Sequence, residues 1–460
     1  MFFKSRLIAK RIVAAFVLGF AVFSTTLCAA ASPAGAKYVV VADRSAAKEW
    51  RSVALALAKK HSAAMIECNC SEGLEKLLSA LKKSKPRYVC FVVPPEHAGR
   101  RFVRNVHRLM RRIDKDRYGD AIWGIITGYC PEDAMRTVRA PAGRTGSSIA
   151  TSMGGDSALN GWASGFASDE RTSANFWLKR RAGKTEKIPT GGNIAKTLAK
   201  AFNSMPVDYF VTSGHASERD WQIIYNKNEG SLLHTPRAGL VFIDPRKMEK
   251  YPLVSASLKV YIGAGNCLIG HVDGRASMAT AWMHSAGVEE FAGYTVPSWY
   301  GFMGWGVKDL FESGRYSLAE ACYLENQRLL WARMRAKDRI NTKGLEYDSD
   351  VFVYYGDPAQ RIMFPRDVTP YKISVKHDRV CVEFIRDCTM PPLDDVKGSR
   401  PVVALLAEPP PGDALFDASG REVKHAEVSE RFLFIPAPGH HRAGEKLFFK
   451  IKAQNLRPSF

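Results

Sequence analysis

An α/β chain with a mostly parallel sheet covered by helices on both faces, followed by a small antiparallel β-sandwich, is the fold class the sequence predicts. Up to Pro365, unbroken apolar runs such as KYVVVAD, RYVCFVVPP and AIWGIITG alternate with helix-like stretches. A strand apolar at every position is one buried on both faces, as in a parallel sheet. Beyond Pro365 the runs YKISVKH, RVCVEFI, PVVALLAE, RFLFIP and EKLFFKIKA are short, alternate in polarity and are parted by Pro, Gly and Asp clusters, the spacing of a β-sandwich. With 460 residues, 46% of them hydrophobic and 24% charged, the chain buries large cores and is no disordered polymer. The texture divides it into segments 1–36, 37–205, 206–365 and 366–460.

The first segment reads as an export signal. Lys4, Arg6, Lys10 and Arg11 precede an apolar core from Ile12 to Phe23, and the small residues from Cys28 to Ala36 offer cleavage sites after Ala31 or Ala36. The apolar stretch is short for a membrane span, so the expectation is a secreted or periplasmic protein with a cleaved signal peptide. A strand at KYVVVAD leads to a helix over Lys48–Lys60. A helix from Glu72 to Lys82 leads to the strand RYVCFVVPP. A basic helix over Asn105–Arg117 and the strand AIWGIITG follow. From Arg139 to Gly192 the composition turns to Gly, Ser and Thr and predicts a long loop with one strand at SSIATS. Further helices are expected over Ile194–Phe202, Met278–Ser285 and, as a long amphipathic one, Leu318–Ala336; strands are expected at YFVT, LKVYIG, VEEFAGY and DVFVYY.

The net charge is +20 and stays near about +16 once the four cations of the signal are subtracted, which favours anionic envelope surfaces. No zinc finger, RNP-type signature or arginine-rich run interleaved with aromatics occurs, so no specific nucleic-acid partner is expected. Nine cysteines include Cys28 in the signal, and Cys68 and Cys70 are too close for an easy bridge; Cys381 and Cys388 are spaced to pair across a turn under oxidation. No CxxC or HExxH pattern supports a transition-metal site.

Two segments carry chemistry. In YFVTSGHASERDW, His215 follows an apolar run and Gly214; in VYIGAGNCLIG, Cys267 follows another such run, 52 residues later. Each alone is more often a packed or solvated residue than a functional one. Together they put an imidazole and a thiol just past two strand ends, where side chains are held rigidly yet face solvent. An imidazole beside a thiol is the minimal machinery of cysteine nucleophilic catalysis.

The ordered blocks resemble the gingipain-type peptidases, a group of caspase-like cysteine peptidases. The likeness rests on Gly214, His215, Ala216, Ser217 and Trp221, then the strand ending in Cys267 with Gly270 behind it, VEEFAGYTVPSW ending at Trp299, YYGDPAQRI, and a β-sandwich. It implies a caspase-like sheet, with an N-terminal α/β subdomain at 37–205, a catalytic one at 206–365 and an immunoglobulin-like sandwich at 366–460. It implies a protein or peptide substrate, Cys267 as nucleophile, His215 as general acid and base, and the N–H groups of Gly214 and Cys267 as oxyanion donors. Trp299 would wall the P1 pocket, and Asp120 would select a basic P1 side chain. The chemistry needs no cofactor; a structural Ca²⁺ is implied, with Glu346, Asp348 and Asp350 the nearest cluster of carboxylates. The chain departs from the family at Asn266, a polar residue immediately before the nucleophile, and at His271, a second imidazole four residues after it. The competing readings are a non-catalytic peptide- or glycan-binding protein on the same scaffold and a metal hydrolase.

Overall fold

The computed structural model describes residues 38–453 apart from 154, 169–175, 190, 224–230, 235–238, 245, 365–367, 394, 396–397 and 399; the export signal read in segment 1–36 lies outside the described residues. Tyr38–Asp43 (β1), Ala64–Cys68 (β2), Tyr88–Val92 (β3) and Ile122–Ile126 (β4) are the apolar runs of the first part, and β1 and β3 are buried at every position. Such strands need cover on both sides. Lys48–His61 (α1) packs Trp50, Val53 and Leu57 with Val40 on one face; Leu78–Ser84 (α2) and Arg100–Met110 (α3) pack Leu81, Phe102 and Val106 with Val39 and Val41 on the other.

Eight more strands extend this sheet: Ser148–Thr151 (β5), Ser164–Ala167 (β6), Phe176–Arg181 (β7), Lys184–Pro189 (β8), Tyr209–Thr212 (β9), Lys259–Gly263 (β10), Val288–Tyr294 (β11) and Phe352–Tyr355 (β12). Their order is β2-β1-β3-β4-β12-β11-β10-β9-β5-β6-β7-β8. Neighbours from β2 to β12 are parallel, and so are those from β11 to β6. The two blocks meet antiparallel at β11 and β12. The C-terminal ends of β9 and β10 therefore share a sheet edge with the N-terminal ends of β12 and β4.

Three expectations change. The segment 139–192 is not one strand in a loop: β5 and β6 continue the parallel block beside β9, and β7 and β8 form a hairpin. That hairpin turns on Ala182 and Gly183, at φ 47° and 79°, the left-handed pair a tight two-residue turn requires. The basic helix over 105–117 instead spans Arg100–Met110, because Asp114 and Asp116 side chains take the N–H groups of Asp116 and Tyr118 and fold the next residues into turns. The helix Leu318–Arg333 is not amphipathic; it is buried nearly all round, since the central sheet covers one side and the C-terminal strands the other.

Among the other helices are Pro131–Arg139, Ile194–Ser204, Met278–Ala286, Phe302–Glu312 and Arg339–Asp348. The chain between β9 and β10 forms a separate four-stranded antiparallel sheet spanning Asp220 to Leu253. In the C-terminal part a four-stranded and a three-stranded antiparallel sheet enclose a common core of Val380, Val382, Phe384, Leu415, Leu433 and Ile435. It docks on the α/β part through Trp331 Nε1, which donates to the His425 carbonyl at 2.9 Å, and Tyr316 OH, which donates to that of Val403 at 2.8 Å. Cys381 and Cys388 are both free thiols.

The YYGDP block locks the first part of the sheet. Asp357, fully buried, accepts from Tyr38 OH at 2.8 Å, pairs with His61 Nε2 at 2.7 Å and lies 3.1 Å from Lys60 Nζ. Burial alone would raise its pKa; the His61 hydrogen bond, then the charges of His61 and Lys60, override this and hold it at about 2. A carboxyl depressed on folding stabilises above its unfolded pKa of about 3.9, and that contribution, on the order of 2–3 kcal/mol, is lost as pH falls towards 2. Asp357→Asn should therefore unfold at lower urea than the parent at pH 7, with the gap closing as pH drops from about 4 to 2. An unchanged gap across that range would remove this account.

Candidate active site

The strands β9 and β10 pair in parallel with Thr212 opposite Gly263, so the residues that follow each strand leave the sheet side by side. The two loops touch closely. Gly265 has no room for a side chain, since a Cβ there would collide with Ser213 Oγ. Gly214 adopts φ 118°, a conformation that residues with a Cβ rarely tolerate.

Asn266 joins the loops. Its side chain is fully buried and turned inward, away from solvent, with Oδ1 accepting from Thr212 Oγ1 at 2.5 Å and Nδ2 donating to the Gly214 carbonyl at 3.2 Å. Tyr261 OH completes the chain at 2.7 Å from Thr212 Oγ1. The residue before Cys267 thus holds the residue before His215, which fixes the relative position of the thiol and the imidazole. On the other flank, Ser152 Oγ lies 3.4 Å from the Ser213 carbonyl and accepts from Ser213 N–H at 3.2 Å. A trans peptide points its C=O and N–H in opposite directions, so a Ser213 carbonyl turned to the β5 side aims the Gly214 N–H towards the β10 side, where Cys267 stands.

Cys267 is half-buried and His215 exposed. The Ser298 N–H approaches the Cys267 sulfur at 3.3 Å and its hydroxyl at 3.5 Å, and that hydroxyl also donates to the Gly265 carbonyl at 2.8 Å. Neither the Gly214 nor the Cys267 N–H is taken by a carbonyl among the described residues. Beyond His215 the chain folds back, Gln222 N–H donating to the His215 carbonyl at 2.9 Å, and Arg219 braces the turn through Asp273 at 2.6 Å.

Trp299, next to Ser298, is 56% exposed, and its ring packs against Tyr347 at 5.6 Å between centroids. Tyr347 OH donates to the Pro297 carbonyl at 2.9 Å, and burial, with the charges of Asp348 and the Cys267 sulfur, raises its pKa. Trp305, 41% exposed, lies against Gly265. Two exposed aromatic residues thus adjoin the residues around the thiol: Trp299 follows Ser298, which contacts the sulfur, and Trp305 lies against Gly265.

Asp120 is elsewhere. It precedes β4, three strands from β10 and hence roughly 14 Å away along the shared edge. Its carboxylate faces Asp114 and Asp116, and Arg431 of the C-terminal part donates to its carbonyl. Burial, then the hydrogen bond and charge of Asp114, push it up to about 8. None of these groups belongs to the loops that carry His215 and Cys267. The His271 ring lies beside Gly99, and burial lowers its pKa.

Glu346, Asp348 and Asp350 are not among the described groups whose ligand atoms converge within 4.8 Å. Asp348 is fully buried and accepts from Tyr294 OH and Met303 N–H, Asp350 pairs with Arg108 and Arg111, and Glu346 reaches Arg333. Two other groups bring ligand atoms within 4.8 Å of one another: Asp114, Asp116 and Asp120, and Cys130, Asp133 and His284. The second satisfies itself, since Asp133 already accepts from Arg136 and pairs with His284.

No protein-family model matches the chain, and no curated protein matches it. Solved chains of similar fold include a complex of the pro- and mature domains of Porphyromonas gingivalis RgpB, 11% identical, with 91% of this chain and 100% of that one covered at a TM-score of 0.44. They also include the Arg-specific cysteine proteinase gingipain R, 10% identical, 91% and 98% covered, TM-score 0.42. A third, described as a protease, is 9% identical, 90% and 97% covered, TM-score 0.43. These likenesses bear on neither activity nor substrate.

The residues that sequence reasoning missed are Ser298 and Tyr347. Ser298 stands inside the block ending at Trp299, but only the sheet shows that this block passes over the thiol. Tyr347 lies on the helix Arg339–Asp348, which no periodicity announced.

Proposed function

We propose that this chain is an exported cysteine endopeptidase of caspase-like fold with an immunoglobulin-like β-sandwich, and that Cys267 and His215 hydrolyse peptide bonds. The Asn266 tie between the His and Cys loops carries the reading, because binding alone needs no clamp between these two positions. The Cys267 thiol gives its proton to His215 as the sulfur attacks the scissile carbonyl, and the oxyanion forms between the N–H groups of Gly214 and Cys267. His215 passes that proton to the leaving amine, then takes one from the water that cleaves the acyl-enzyme and returns it to the departing Cys267 sulfur. No metal or cofactor takes part in these steps.

With Asp120 distant, the P1 side chain meets Trp299 and Tyr347 instead. A cation over an aromatic face gains about 0.5–2 kcal/mol, so Arg or Lys at P1 is favoured only about 2- to 30-fold over a neutral residue of similar size. A pocket carboxylate would discriminate far more strongly. Trp299→Ala should abolish that preference in kcat/KM, while Asp120→Asn leaves it unchanged. A large loss of basic selectivity in Asp120→Asn would restore Asp120 to the pocket.

Alkylating the purified protein while profiling it against a peptide library tests the class. Loss of turnover on alkylation is expected. Undiminished turnover, or peptide binding without turnover in both samples, would favour the metal-hydrolase or binding-protein readings respectively.

A further inference from the structure

The outer face of the C-terminal four-stranded sheet carries charge that the fold does not answer. Along Tyr371–Lys376, Arg379–Phe384 and Lys446–Lys452, alternate residues such as Val380, Val382, Phe384 and Ile451 enter the core, so their neighbours face solvent. The register sets Lys376 opposite Arg379, Arg379 opposite Lys450, and Lys450 opposite Phe416. Three exposed cations thus stand in one row across three adjacent strands, spanning about 10 Å. None has a carboxylate partner among the described residues, whereas two rows further along the face Lys446 and Glu383 pair at 3.5 Å.

Like charges directly opposite one another on a sheet face oppose folding, so such a row needs an external counterpart. Its neighbours say which kind. Phe448 projects from the next row, opposite Cys381, and is 56% exposed; Lys452 lies over the Phe416 ring at 5.2 Å. A phenyl ring standing free among lysines gains from an apolar phase bordered by anions. The acceptors on the face are few and mostly engaged: Ser374 is its small hydroxyl, Glu383 is paired with Lys446, and Asp417 is held by Ser419 and Arg421. Sugar hydroxyls would need such acceptors, and a nucleic acid would need more than one free stacking ring.

We propose that this face docks on an anionic lipid bilayer, with Lys376, Arg379, Lys450 and Lys452 over the headgroups and Phe448 inserted between them. The inference is independent of the peptidase reading. Each basic residue at an anionic surface strengthens binding about fivefold, and salt weakens it.

The test sediments the full chain with vesicles of phosphatidylcholine alone and with vesicles containing phosphatidylglycerol. The parent should bind the anionic vesicles preferentially, and Lys376→Gln/Arg379→Gln/Lys450→Gln should bind them roughly 100-fold more weakly. Phe448→Ser should weaken binding while leaving its salt dependence in place. Lys82→Gln/Lys83→Gln/Lys115→Gln, which removes equal charge far from the face, should bind like the parent. Equal loss in both triple variants would reduce the effect to net charge and overturn the proposal. So would parent-like binding by the first triple variant, or binding to heparin or single-stranded DNA lost in that variant without any vesicle binding.

Discussion

Cys267→Ala should abolish turnover of peptide substrates and labelling by thiol-directed probes, with the unfolding midpoint close to that of the parent. The chemistry removes the nucleophile outright, so no residual acyl-enzyme can form. The fold should tolerate the change because the Cys267 side chain is only half-buried and its contacts are the weak ones from Ser298 to the sulfur. His215→Ala should lower kcat about 10²- to 10⁴-fold, the usual contribution of a positioned acid and base, while the thiol stays available to alkylation. The contrast matters more than either loss. If both variants lose turnover but only Cys267→Ala loses labelling, the two residues hold different roles. Full turnover in Cys267→Ala would sink the peptidase assignment.

The sequence made the strand ends legible because burial leaves a strong mark. YVVVA, YVCFV and YFV are apolar at every position, and the sheet buries them so. The loops from β9 and β10 could be read as neighbours because each run stops at a Gly before a reactive side chain. The segment from β5 to β8 was not readable in the same way. Its strands β5 and β6 are four residues each and rich in Ser, Gly and Ala, and their burial comes from the sheet, β5 pairing with β9 and β6 lying between β5 and β7. Likewise, Leu318–Arg333 shows charges at spacings that suggest a solvated face, but Glu325 and Arg328 pair with each other against Gly306 and Phe302 of the helix Phe302–Glu312. Asp120 illustrates the opposite failure. Its position before a strand matched a family pattern, yet a run of Asp114, Asp116 and Asp120 in one turn was the stronger local signal, and those carboxylates face one another.

Asn266→Ala should cost about 10- to 100-fold in kcat with little change in KM, although the residue touches neither the scissile bond nor solvent. Removing the amide leaves the Thr212 hydroxyl and the Gly214 carbonyl without the partner each now has, a penalty of about 1–3 kcal/mol in a dry site. The looser Gly214 would then present its N–H and the following imidazole in several orientations, and a displacement of the order of 1 Å in a catalytic group is costly. Stability should fall by a similar 1–3 kcal/mol, so stability alone cannot identify the role. The discriminating measurement is the ratio of hydrolysis to alkylation of Cys267. A clamp that positions the dyad predicts that hydrolysis falls while alkylation by a small reagent, which needs no oxyanion hole, is preserved. A purely structural residue would lower both together as the folded fraction drops. Asn266→Asp sharpens the test: it keeps the size and the acceptor for Thr212 but turns the donor towards Gly214 into a second acceptor. Turnover equal to the parent's in that variant would show that the Gly214 carbonyl needs no donor, and the departure at Asn266 would then have no part in catalysis.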